Sequence, residues 1–305
     1  SKFSGAAWSK DHRGFYYSRY DEPKEGEEFK AANLNQKVYY HLLGTRQQED
    51  RLVYERPDHP KWRFSARPTE DGKYLLLDVH RGSADKNALF YRDLSRPDGP
   101  FVELLKNFDA RYDFIGNEET RFWIRTDLKA PRGRVIEIDL GKPAPSRWKT
   151  VLSQSLDTMR EVSLVGNEFV VSYMHDAHSL VRRYTTKGVA LGELALPGLG
   201  SVHGFYGKRE HRETFYSFTS YTEPPAIYRF DFDSGETSVH HRPKLGFDPV
   251  LFQTRQVFYR SKDGTQIPMF IVSRKGLQRD GKRPTLLHAY GGFHLSLLPR
   301  FSTPT

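Results

Sequence analysis

A short apolar strand recurs along this chain at a nearly fixed interval, and that spacing restricts its possible folds more than any other feature. Val38-Tyr39-Tyr40-His41 aligns with Leu89-Phe90-Tyr91-Arg92-Asp93-Leu94 and with Val135-Ile136-Glu137-Ile138-Asp139-Leu140. Val181-Arg182-Arg183-Tyr184 and Ile227-Tyr228-Arg229-Phe230-Asp231-Phe232 continue the series. The starts lie 51 residues apart once and 46 residues apart three times. Each copy comes after an inner strand and a loop, and a turn and an outer strand such as "WKTVLSQ" or "GELALPG" follow it. Three to four strands at this period is the anatomy of a propeller blade. One blade cannot bury both faces of its sheet, so consecutive copies imply a core shared between neighbours. A β-sandwich would space its strands less regularly. The copies fit a complete small propeller or part of a larger one.

The composition supports a large buried core: 305 residues, 37% apolar and 14% aromatic, enough for one large domain or two. There is no cysteine, which removes disulfides, thiolate nucleophiles and Cys-based zinc sites together. This suits a cytoplasmic protein, with the periplasm as the alternative. The net charge is +9, but the 47 basic residues are scattered among 38 acidic ones without a block of like charge, so nucleic acid is not an expected partner. No apolar run reaches the length of a membrane span, and no membrane partner is expected. The opening "SKFSGAAWSKDHRGF" has no signal-peptide core. Methionine is absent from position 1, so the chain reads as processed or partial.

His175-x-x-His178 has metal-like spacing, but no third ligand is evident nearby, and no metal is expected. His203, His240 and His241 read as surface or packing residues. Asp21 to Lys30 reads as a loop between blade strands. No P-loop, dinucleotide-binding or zinc-peptidase motif occurs.

After about Pro243 the rhythm stops, which divides the chain into residues 1–246 and 247–305. "TRQVFYRSKDGTQIPMFIVSRKG" predicts two strands around an Asp263-Gly264 turn. "KRPTLLHAYGGF" predicts a short apolar strand running into a glycine loop. An α/β-hydrolase sheet opens in this way, and the loop after its third strand supplies part of the oxyanion hole. Paired glycines let backbone approach a substrate closely. A tyrosine beside them can present a hydroxyl to a developing oxyanion.

Along nearly its whole length the chain resembles the prolyl oligopeptidase family of serine peptidases. The segments that carry the likeness are "NQKVYYHLLGTRQQEDRLVYE", "HPKW", "EDGKYLLLDVHRG", "VFYRSKDGTQIPMFIVSRKG" and "AYGGFHLSLLPRFS", in the family's order. The resemblance implies a mainly β chain: a partial seven-bladed β-propeller followed by the first strands of an α/β-hydrolase domain. It implies a cofactor-free monomer that cleaves proline-containing oligopeptides after proline, with the propeller as a size filter. The remainder of the same protein's catalytic domain would be the principal partner. On the same ground Tyr290 would stabilise the oxyanion, with Gly291 and Gly292 forming the loop. Phe293 would line the proline pocket, and Phe3, Arg63, His80 and Ser83 the next subsite. Arg63 stands where members carry an apolar residue, Ser83 where some carry cysteine, and His80 where some carry arginine, which points to a more polar subsite.

The nucleophile of this family lies in a Gly-x-Ser-x-Gly elbow, which this sequence lacks. The nearest match, "GSVHG" at Gly200 to Gly204, has its serine one place early and sits in a blade. The chain by itself is therefore expected to be inactive. Two alternatives stand beside the proline-specific reading: a non-catalytic propeller binding module, and a related oligopeptidase that cuts after basic residues or releases acyl-peptides.

Overall fold

The computed structural model describes residues 4–21, 26, 32–96, 98–278 and 280–302. Most of the Asp21 to Lys30 segment and all of Phe3 lie outside the described residues. The chain divides into two compact units, residues 1–153 and 154–305.

The first unit holds three four-stranded antiparallel sheets. They are β1 (Ala7–Trp8), β2 (Gly14–Arg19), β3 (Lys37–Leu42) and β4 (Arg51–Tyr54); β5 (Trp62–Pro68), β6 (Tyr74–Arg81), β7 (Asn87–Asp93) and β8 (Val102–Leu105); and β9 (Tyr112–Glu118), β10 (Arg121–Thr126), β11 (Arg134–Asp139) and β12 (Lys149–Leu152). The second unit holds two more: β13 (Thr158–Val165), β14 (Glu168–His175), β15 (His178–Thr185) and β16 (Ala190–Leu194); then β17 (Ser201–Tyr206), β18 (Glu213–Thr219), β19 (Ala226–Asp231) and β20 (Thr237–His241). A hairpin of β21 (Phe252–Arg260) and β22 (Gln266–Arg274) follows. Within every four-stranded sheet the strands lie side by side in chain order. The recurring apolar strand is the third of its sheet each time, as β3, β7, β11, β15 and β19.

Successive side chains of a strand point to opposite faces, and here both faces are apolar. On β6, Leu75, Leu77 and Val79 enter a core with Val38 and Val53 of the first sheet. Tyr74 and Leu76, one position out of phase, enter a core with Tyr112, Phe122, Ile124 and Ile136 of the third. In the second unit Val165, Val170 and Val181 pack on Val202, Phe205, Phe218 and Tyr228 of the next sheet. Tight turns hold these registers. Gly166 and Asn167, both at positive φ, join Val165 to its cross-strand partner Glu168, as a two-residue hairpin requires.

The β21–β22 hairpin pairs from Phe252–Arg274 to Arg260–Gln266 around the expected Asp263-Gly264 turn. The apolar strand expected next is not formed. Residues 281–291 are exposed throughout and carry no strand, with Leu286 and Leu287 almost bare. A strand of that apolar type belongs inside a sheet that covers both its faces, and none of the described residues pairs with it. Among the described residues, no helix is long and apolar enough to cross a membrane.

If the shared cores carry the fold, Leu76→Ala, at a fully buried position, is expected to cost about 2–5 kcal/mol. Leu156→Ala, at an 87% exposed position, is expected to change stability by less than about 0.5 kcal/mol. Urea denaturation of both variants checks the pair, and equal losses would refute the assignment of the core.

Candidate functional site

The glycine loop is built by close approach of its own tyrosine. The Tyr290 ring folds back over Gly292, where an added Cβ would stand 2.9 Å from the hydroxyl oxygen and 3.1 Å from Cζ. Any larger residue at 292 would have to push the phenol aside. Gly292 opens a single short turn, closed by the Leu295 N–H donating to the Gly292 carbonyl at 3.1 Å. At Gly291 no described atom lies within 4 Å of where a Cβ would be, so the backbone there is open to an incoming group. Tyr290 is half exposed, and Phe293 is 89% exposed with φ +57°. A left-handed backbone is a genuine outlier for a bulky aromatic. The loop thus offers a hydroxyl, free backbone and a bare aromatic ring within four residues.

The other group of expected residues lies in the first unit. β5 and β6 pair with Arg63 directly opposite His80, and the loop after β6 carries Ser83, which is exposed. The Arg63 guanidinium donates to the Gly82 carbonyl in that loop. Strand register thereby brings Arg63, His80 and Ser83 to one end of one sheet. Burial, and then the charges of Arg63 and Arg111, hold the His80 imidazole below its usual range.

Asp78, two residues before His80, was not singled out by the sequence. Its carboxylate is 3.6 Å from Arg67 Nε, a weak contact, and burial pushes its pKa up to about 6 against the Arg67 charge. Nearby, Asp113 accepts from Arg111 at 3.0 Å and pairs with Arg125. The signal for Asp78 is a single acid inside the apolar run "YLLLDVH", but its partners come from other strands.

In the second unit, His175 and His178 close the β14–β15 hairpin as cross-strand partners. His175 Nδ1 lies 2.6 Å from Asp157, which also pairs with Arg182 at 3.0 Å. Burial would raise the Asp157 pKa, but the His175 hydrogen bond and the His175 and Arg182 charges outweigh it and hold it below the usual carboxylate range. Among the described residues, no group of three or more His, Asp or Glu is arranged to hold a metal ion.

Residues 1–243 match the family model described as the prolyl oligopeptidase N-terminal β-propeller domain. The chain belongs to the prolyl oligopeptidase family. It is 38% identical over 301 residues to a prolyl endopeptidase of Elizabethkingia miricola, covering 99% of this chain and 42% of that protein. A dual function macrocyclase-peptidase of Galerina marginata is 34% identical, again over 99% of this chain and 42% of the relative. Among solved structures, prolyl oligopeptidase B of Galerina marginata, bound to a 35mer hydrolysis and macrocyclization substrate, superposes with a TM-score of 0.88. That likeness has 32% identity and covers 99% of this chain and 42% of that one. The chain thus spans less than half the length of these relatives and corresponds to their propeller segment. In this family setting the five meander sheets are blades, and the sequence repeat is the third strand of each.

The raised pKa of Asp78 has a direct consequence for stability. Between about pH 4 and pH 6 the folded state binds more protons at this carboxyl than the unfolded state, so its contribution to stability declines as pH rises through that window. Asp78→Asn is expected to leave stability near pH 4 little changed and to raise it by about 1–3 kcal/mol near pH 7.5. Denaturant midpoints of parent and variant at the two pH values decide it, and an equal shift at both would refute the assignment.

Proposed function

We propose that this chain is the propeller and the opening of the catalytic domain of a serine endopeptidase that cuts oligopeptides on the carboxyl side of proline. The propeller occupies residues 1–246 and the catalytic domain begins at 247. One observation carries the reading. The likeness to prolyl endopeptidases runs over 99% of the chain, beyond residue 243 where the propeller match ends, and so includes the Tyr290-Gly291-Gly292 loop.

The chemistry is acyl transfer. A serine supplied by the rest of the polypeptide attacks the scissile carbonyl, and negative charge develops on its oxygen. The Tyr290 hydroxyl and a backbone N–H donate to that oxygen and lower the barrier. Histidine and aspartate from the same remainder complete the triad. The exposed Phe293 ring suits stacking on a proline ring. Arg63, His80 and Ser83, with Phe3, form the next subsite and give it polar character. The propeller acts as a size filter that excludes folded proteins, and the 35mer bound to the Galerina marginata relative sets the scale of peptide such a filter passes. The protein works as a cytoplasmic monomer without cofactor.

The complete polypeptide is expected to hydrolyse a chromogenic peptide after proline and not after arginine. Cleavage after arginine instead would establish the basic-residue reading, and no cleavage of either would leave a binding module. Tyr290→Phe is expected to lower kcat about 10²–10³-fold with little change in KM. An unchanged kcat would remove Tyr290 from the chemistry. The 305-residue chain alone is expected to hydrolyse neither peptide, and turnover that follows it through purification would contradict this.

A further inference from the structure

The serine of "GSVHG" has a different partner from a catalytic one. Ser201 opens β17 and stands directly across from Thr219, the last residue of β18. Both side chains are buried at this end of the sheet, and both engage the tail. Ser201 Oγ donates to the Pro299 carbonyl at 2.8 Å, and the Phe301 N–H donates to Thr219 Oγ1 at 3.2 Å. Thr219 in turn donates its proton to the Glu223 carbonyl at 3.0 Å, which leaves a lone pair facing Phe301. Pro299 is itself buried and has no N–H, and its buried carbonyl is satisfied by the Ser201 hydroxyl. The Phe301 ring stacks on Phe247 at 6.1 Å, and Phe247 meets Phe252 of β21 edge-on at 5.6 Å.

A second tie lies one sheet earlier. The Gln256 amide of β21 donates to the Asp176 carbonyl in the β14–β15 turn. The two sheet ends are themselves joined, since the Ser179 N–H donates to the Gly200 carbonyl at 2.9 Å and the Val202 N–H to Ser179 Oγ at 3.1 Å. Tyr290 therefore sits on a stretch of chain fastened on either side of it to the adjoining ends of two neighbouring sheets. Only eight residues separate it from Pro299.

We propose that Ser201 and Thr219 form a clasp that holds residues 299–301 on the end of the fifth sheet and, through that anchor, positions the Tyr290-Gly291-Gly292 loop for the reaction. They are positioning residues, and the catalytic part of the proposal rests on the peptidase reading above. The clasp itself rests on two buried hydroxyls and a ring stack.

Ser201→Ala/Thr219→Val in the complete polypeptide tests it, read by hydrogen exchange and by kinetics on a short proline peptide. The Phe301 amide is expected to exchange about tenfold faster, with faster exchange spreading through residues 286–301. kcat is expected to fall at least about threefold with KM within about twofold, since a misplaced donor harms the transition state more than binding. Ser201→Thr/Thr219→Ser keeps both hydroxyls and is expected to restore both readouts. Unchanged exchange would overturn the clasp. Faster exchange with unchanged kcat would overturn the positioning role. A parent that never turns over proline peptides would refute the peptidase reading and with it that role, while exchange would still decide the clasp. If the double variant does not fold, Phe247→Leu removes the stack without touching β17 or β18. It must show the same loosening of 299–301, and its failure to do so would equally overturn the proposal.

Discussion

Two-sided burial is the constraint on which the rest of this structure depends. A sheet whose residues are apolar at odd and even positions alike cannot leave either face in water, at about 25 cal/mol for each Å² of apolar surface. β6 shows the consequence most directly, with Leu75 and Leu77 in one core and Leu76 in the next. Neighbouring sheets must be stacked face to face, and the chain must return to the same register in each. The fixed interval between the recurring strands is the trace of that requirement in the sequence.

Stacking leaves the ends of the strands as the place where polar chemistry can be presented. Arg63 and His80 lie near one end of the β5–β6 pair, and Ser83 follows in the loop. His175 and His178 close the corresponding hairpin of the fourth sheet, and Ser201 and Thr219 lie at the same topological end of the fifth. Within the second unit, the described chain after the last blade is fastened to such ends, at Asp176 and at Ser201 and Thr219. Charge that penetrates further, as Asp78 does, meets a raised pKa because burial outweighs its distant Arg67 partner.

Much of the fold was legible because it is local and repeated. The recurring apolar runs marked one strand between an inner and an outer one in each repeat, and the structure makes it the third of its sheet all five times. The Asp263-Gly264 turn was equally readable, since a two-strand hairpin is specified by its own residues. The expected strand at Leu286-Leu287 illustrates the limit. Its sequence is that of a buried strand, but a strand forms only against neighbours, and the described residues supply none. The candidate site divides along the same line. Tyr290, Gly291 and Gly292 could be read as a loop because they are adjacent. The ties from Ser201 to Pro299 and from Asp78 to Arg67 cross between strands or span almost a hundred residues, as with 98 for Ser201, and no local pattern announces them. The subsite roles of Phe3, Arg63, His80, Ser83 and Phe293 came from family resemblance, not from spacing.

The division of β6 between two cores has one more consequence. Within the first unit the middle sheet is sandwiched by companions on either side, whereas the sheets flanking it share a core with it on one side each. No covalent bridge joins these layers, since the chain has no cysteine. Loosening of either flanking sheet would therefore strip one face of the sheet that holds Arg63 and His80, whereas loosening of that sheet itself would open both cores at once.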